Sequence, residues 1–309
     1  MIDIYSKIKS VDFRKITIII LALIYWYFSM TEHLAFSDFV TSYQNTPWGK
    51  IVPRDYSLHA GLFFLFALMV YLIFNLFTGK RRSATLLYFL ISLLAMVAAY
   101  RILIFEPVEI IHYLQYAILA FLLAYAMDKM MDRYLFGAIL FVVTLLGVID
   151  EINQYFYMTR EYSKYLDWND FLLNEIGASL GLLFFYGFRN MKPKIWSRRE
   201  FVNSRKFKSI LIFLTVLSLL FLIGIVELSP EIESESALVW NQNGLKVYLE
   251  RSPGLYGIWK IGDRGWLVHI LTPLNGSFLM ILYGLIISTF QYNLSSIKGS
   301  FNNQIGNKP

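Results

Sequence analysis

The stretch that decides the fold is residues 147–181, GVIDEINQYFYMTREYSKYLDWNDFLLNEIGASLG. Two apolar helices meet here around a polar centre. The first ends in Asp150 and Glu151, with Gln154 one turn on. A polar loop follows, carrying Arg160, Asp167 and Asp170. The second helix sets Asn174, Gly177, Ala178 and Gly181 at positions i, i+3, i+4 and i+7, which is one face. Gly177 and Gly181 have the small-xxx-small spacing that lets two membrane helices approach closely. Carboxylates, amides and an arginine therefore gather at one membrane boundary beside a tight helix contact.

Composition agrees with a membrane setting. The chain is 57% hydrophobic and 16% charged, against about 25% charged in an ordinary soluble domain. Its apolar runs approach the ~20 residues a helix needs to cross a bilayer. Read in order they give eight spans: Ile16–Met30, His59–Thr78, Ala84–Phe105, Ile110–Met127, Tyr134–Ile149, Phe171–Phe188, Ser209–Val226 and Leu267–Phe290. Tyr25, Trp26 and Tyr27 follow the first apolar run where small cleavage-site residues would end a signal peptide, so a retained span is expected. The fold class is a polytopic all-α membrane protein with a small extracytoplasmic loop domain. In that domain Leu245, Val247 and Leu249 alternate with polar residues, and a hairpin returning through Leu255–Ile261 is expected. Residues 1–100 hold the N-terminal spans and an outer loop, and 101–189 the core. Residues 190–309 hold a basic connector, the last two spans and the extracytoplasmic loop.

The net charge of +6 is no nucleic-acid footprint, because the basic residues sit in loops beside apolar spans, where they set topology. With the N-terminus inside, 19 of the 28 lysines and arginines fall on the cytoplasmic side and 8 outside, with Arg101 in a span. Both termini are then cytoplasmic, and the 150–170 region faces out. The chain has no cysteine, so thiolate chemistry and Cys-ligated metals are excluded.

A second polar group opens the fourth span: Glu109, His112, Gln115 and Tyr116 in PVEIIHYLQYAIL. Glu109 and His112 are three apart and share a helix face. Several readings stand beside one another. The group, with the 150–174 residues, forms an interhelical hydrogen-bond network that fixes packing. Alternatively His112 or Glu109 is a general base, with Arg160 clamping an anionic group. An ion pathway is a third reading, opposed by clustering at one edge and by the lack of an internal repeat. No metal or cofactor is expected. Glu109-x-x-His112 is a single ligand pair where di-iron bundles use two, and Asp55 with His59 makes a poor second.

These two groups together resemble the VanZ-like family of bacterial integral membrane proteins. The resemblance rests on Asp150, Glu151, Gln154, Arg160, Asp167, Asp170, Asn174, Gly177 and Gly181, and on Glu109, His112, Gln115 and Tyr116. It covers roughly residues 101–188. The loop from Arg160 to Asp167 is longer than the family pattern, and Gln115 stands where an acid is common. The resemblance implies a polar extracytoplasmic-side pocket in the bacterial cytoplasmic membrane. It also implies a cell-envelope role linked to resistance to teicoplanin-type glycopeptides. The implied partners, beside the lipid bilayer, are a cell-wall precursor, an envelope lipid or a glycopeptide.

Overall fold

The computed structural model describes residues 13–31, 82–128, 135–158, 164–187 and most of 212–291. Its helices are α1 (Phe13–Thr31), α2 (Arg82–Ile102), α3 (Ile111–Met127), α4 (Phe136–Asn153), α5 (Trp168–Gly187) and α6 (Pro273–Ser288). A 3-10 turn, Pro107–Ile110, leads into α3, and a single π-helical turn, Gln154–Met158, ends α4. Five segments are long and apolar enough to cross a membrane: Phe13–Thr31, Thr85–Ile102, Val108–Met127, Phe136–Tyr157 and Pro273–Gln291. Their outward faces carry apolar stripes, such as Leu114, Ile118, Phe121 and Tyr125 on α3 and Val142, Leu145, Ile149 and Ile152 on α4. Exposed apolar area on this scale marks a surface covered by something other than water, and lipid fits helices of this length.

The remaining helix, α5, is the axis of the bundle. Every residue from Asn169 to Leu183 is buried, and α2, α3, α4 and α6 all pack on it. A helix covered on all sides can carry polar residues only where neighbours answer them, and α5 does so at Asn169, Asp170, Asn174, Glu175 and Ser179. Its contact with α3 is backbone to backbone. A Cβ at Gly177 would stand 2.6 Å from the Tyr113 carbonyl oxygen, and one at Gly181 only 2.0 Å from that of Ala117. The expected close approach is therefore present, and its partner is α3.

Side-chain bonds identify the two ends of the bundle. At one end the Asn169 amide donates to the carbonyls of Leu103 (2.8 Å) and His269 (2.9 Å) and accepts from the Leu271 amide (3.0 Å). This ties the end of α2 and the approach to α6 to the start of α5. At the other end Tyr186 donates to Asp128 (2.6 Å), and the Arg14 guanidinium meets the Tyr125 hydroxyl.

Two small sheets sit at the Asn169 end. In one, β3 (Gly244–Tyr248) lies between β2 (Leu238–Asn241), antiparallel, and β1 (Val226–Glu227), parallel. In the other, β4 (Trp259–Ile261) pairs antiparallel with β5 (Leu267–His269). This corrects the hairpin expected from the sequence. The strand at 244–248 takes its partners from upstream, and 259–261 pairs forward instead. Residues 267–269, expected to open the last span, are strand, and the helix starts at Pro273 behind the Thr272 cap, whose hydroxyl accepts from the Asn275 amide (3.1 Å). The span expected at 209–226 ends by Leu222, because Gly224 turns the chain at φ 71° and Val226 is already strand. The span expected at His59–Thr78 lies outside the described residues.

Candidate functional site

Three helices supply the polar cluster at the sheet end of the bundle. From the first turn of α3 comes His112, with Tyr116 below it. From the last turn of α4 come Asp150 and Glu151, with Gln154 in the π turn. From α5 come Asp170 and Asn174. All seven are buried. The glycine contact explains why they meet: α3 and α5 touch at Gly177 and Gly181, and Gly147 of α4 lies tightly against Asn174, where a Cβ would stand 3.0 Å from the Asn174 Cβ.

Asn174 is the hub. Its Oδ1 faces His112 Nδ1 at 2.8 Å, and its Nδ2 donates to Glu151 Oε1 at 3.1 Å. The Asn174 oxygen is an acceptor only, so Nδ1 of His112 carries a proton, and in the neutral imidazole Nε2 holds the lone pair. That nitrogen points to Asp170, with Nε2 to Oδ2 at 3.7 Å. Glu151 Oε1 lies 3.8 Å from Nδ1. Asp150 is held separately, accepting from the Tyr116 hydroxyl (2.7 Å) and from Gln154 Nε2 (3.1 Å). The π turn, a local widening often found at functional sites, also carries Tyr155, whose hydroxyl donates to the Tyr248 carbonyl of β3 (3.0 Å).

Of the sequence-predicted residues, Asp150, Glu151, Gln154, Asp170, Asn174 and His112 converge. Glu109 does a different job. Its carboxylate accepts the backbone amides of Phe105 (2.8 Å) and Glu106 (2.9 Å), closing the turn that leads into α3. Gln115 is half-buried and enters the described hydrogen bonds only through its carbonyl, which accepts from Tyr25 (3.4 Å). Arg160 lies outside the described residues, as do Asp55 and His59. The arrangement among the described residues is an enclosed cluster where the sequence suggested a pocket.

Asp167 stands at the rim, half-buried, and its Oδ1 accepts the Asn169 amide (2.8 Å). Loss of water and the neighbouring Asp170 charge push its carboxyl up to about 7. The segment before it is clamped by the outer sheets. Leu166 donates to the Leu249 carbonyl (2.8 Å), Arg251 to that of Lys164 (2.6 Å), and the Tyr256 hydroxyl bonds the carbonyls of Leu166 and Leu249.

Two features escaped sequence reading. Asn169 offers no motif, because its three partners are backbone groups distant in sequence. Glu175 follows Asn174 but faces α6, where Gly284 makes room for it (a Cβ would stand 2.5 Å from Glu175 Oε1). The signal that was available is a carboxylate within a long apolar run of α5, next to Asn174. Comparison with protein-family models, curated proteins and solved structures finds no match for this chain.

Proposed function

We propose that the chain is a VanZ-like protein of the bacterial cytoplasmic membrane, with eight spans, both termini cytoplasmic and the polar cluster at the extracytoplasmic edge. In this reading the cluster is the functional centre. It acts in the cell envelope by binding or scaffolding a cell-wall precursor, envelope lipid or glycopeptide, with an effect on sensitivity to teicoplanin-type drugs. The observation that carries it is the convergence of His112, Asp150, Glu151, Asp170 and Asn174, from three helices, on one volume beneath a folded loop domain. Packing alone does not require four ionisable side chains where a Ser or Asn would serve, and intramembrane ionisable groups usually mark function.

A second reading is favoured by one detail, the imidazole held between Asp170 and Glu151 with its tautomer fixed by Asn174. That geometry suits a general base, and a membrane enzyme acting on an outer-leaflet lipid-linked substrate would use it. One comparison separates the two. Cells carrying the wild type or the Asp150→Asn, Glu151→Gln double variant are profiled for lipids and cell-wall precursors and tested for teicoplanin sensitivity. Altered sensitivity with an unchanged profile is expected for binding. A changed precursor or lipid would favour the enzyme. No change in either, with the variant present in membranes at wild-type level, would remove the cluster from function.

A further inference from the structure

Resting on the reading of this cluster as the functional centre, we propose that His112, Glu151 and Asp170 bind a divalent first-row transition cation of the Zn2+ or Mn2+ type. One ligand atom from each of the three lies within 4.8 Å of the other two. The 3.7 Å from Nε2 to Asp170 Oδ2 is too long for a hydrogen bond. It is close to the roughly 3.4 Å that separates two ligands bound about 2.1 Å from one tetrahedral ion. A network built only to hold helices together would have closed this gap, as it does at Tyr116 and Asp150 (2.7 Å).

Asp170 supplies the independent sign. The residue is 8% exposed, and its Oδ1 is buried with no hydrogen-bond partner. A buried carboxylate oxygen left without a donor is costly, and a cation at the mouth of the imidazole would answer it. Charge points the same way. Asp150, Glu151 and Asp170 lie together, and no lysine or arginine among the described residues pairs with any of them. Buried carboxylates need a proton or a positive ion nearby, and a divalent ion neutralises two.

Asn174 completes the design. By accepting from Nδ1–H it directs the Nε2 lone pair of the neutral imidazole at Asp170, and by donating to Glu151 it sets that carboxylate's orientation. Metal-bound histidines characteristically have their second nitrogen held in this way. With imidazole and carboxylate ligands and no cysteine in the chain, Zn2+ or Mn2+ fits better than a thiophilic ion. The helix-borne Glu109-x-x-His112 pair is not the ligand pair, because Glu109 is occupied by the backbone amides of residues 105 and 106.

The test uses the full chain in detergent, stripped with a chelator and then dialysed against Zn2+ or Mn2+. Bound metal is measured by mass spectrometry, and thermal unfolding is followed by tryptophan fluorescence with and without the ion. The expected result is about one ion per wild-type chain and a higher Tm with the ion than without it. Asp170→Asn and His112→Gln should lose that ion, and Asn174→Ala should bind it about 10–100-fold more weakly. Glu175→Gln, a buried carboxylate outside the cluster, should retain it. Wild-type chain that takes up neither ion and shows no change in Tm would overturn the proposal, whatever the variants do. So would stoichiometric metal that Asp170→Asn, still monodisperse, keeps in full. The assay contains no drug or envelope substrate, so metal binding succeeds or fails independently of the envelope role.

Discussion

At the scale of single residues, the geometry separates side chains that look alike in the sequence. Glu109 and Glu151 are both glutamates near a helix end; one seals a backbone turn and the other faces an imidazole. Spacing alone put Glu109 beside His112. The 3-10 turn at Pro107–Ile110 brought the amides of residues 105 and 106 within its reach instead. Asp150, Glu151 and Gln154 were legible because helical spacing groups them, and Asn174 because it shares a face with Gly177 and Gly181; an apolar segment rarely tolerates so many polar groups without use. Asp167 gives a pH prediction for the metal-free chain. Its folded-state carboxyl titrates near 7 against an ordinary 3.8. Below the ordinary value both folded and unfolded forms hold the proton. Between the two values only the folded form holds it, so stability falls as pH rises through that window, and it levels off above. Chelator-treated protein should show Tm declining from acid to neutral pH. In Asp167→Asn the decline should be shallower and the neutral-pH Tm higher; an unchanged slope would mean that Asp167 ionises freely at the rim.

Among the elements, α5 decides the arrangement of the others. The Gly177-x-x-x-Gly181 pair was readable in advance, because that spacing has a single geometrical use in an apolar helix. Its partner was not readable, since α3 offers Tyr113 and Ala117 through their backbones and a carbonyl has no sequence signature. The pairing of the strands was equally hidden: short strands in a loop region have too few alternations to fix register, so β3 took neighbours from upstream. The helix contact yields a graded prediction. At Gly181 a Cβ would lie 2.0 Å from the Ala117 oxygen, so even Ala forces α3 and α5 apart. Gly181→Ala should lower the amount of folded protein in membranes, and Gly177→Leu and Gly181→Leu should lower it further. Separating the helices would also pull His112 from Asn174. Leu114→Ala, on the lipid-facing side of α3 at 48% exposure, should accumulate normally. Wild-type amounts of Gly181→Leu would show that the two helices do not touch at that point.

For the whole molecule, the question is which side of the membrane the cluster faces. The two ends of the bundle differ chemically. One carries the sheets, the Asn169 tie and the cluster; the other carries Arg14 against Tyr125, Asp128 against Tyr186, and Gly137 bonded to Gln291. The outer sheets are fastened to the core at the segment before α5, through Leu166, Lys164 and the paired Tyr165 and Glu250. A change of side for the sheets therefore carries the cluster with them. The proposed orientation puts the sheet end outside, because the heavily basic connector from Arg189 to Lys208 lies between α5 and the sheet region in sequence and follows the end of α5 remote from the cluster. The absence of cysteine makes the assignment testable without background. Cysteines placed singly at Lys164 and Lys246 should react with an impermeant thiol reagent in intact cells, since Lys164 is well exposed on the sheet side. A cysteine at Arg198 should react only after the membrane is opened. Labelling of Arg198→Cys in intact cells, with Lys164→Cys silent, would put His112, Glu151 and Asp170 at the cytoplasmic edge. The envelope role would then fail, while a cation bound by those three side chains would stand, now drawn from the cytoplasm.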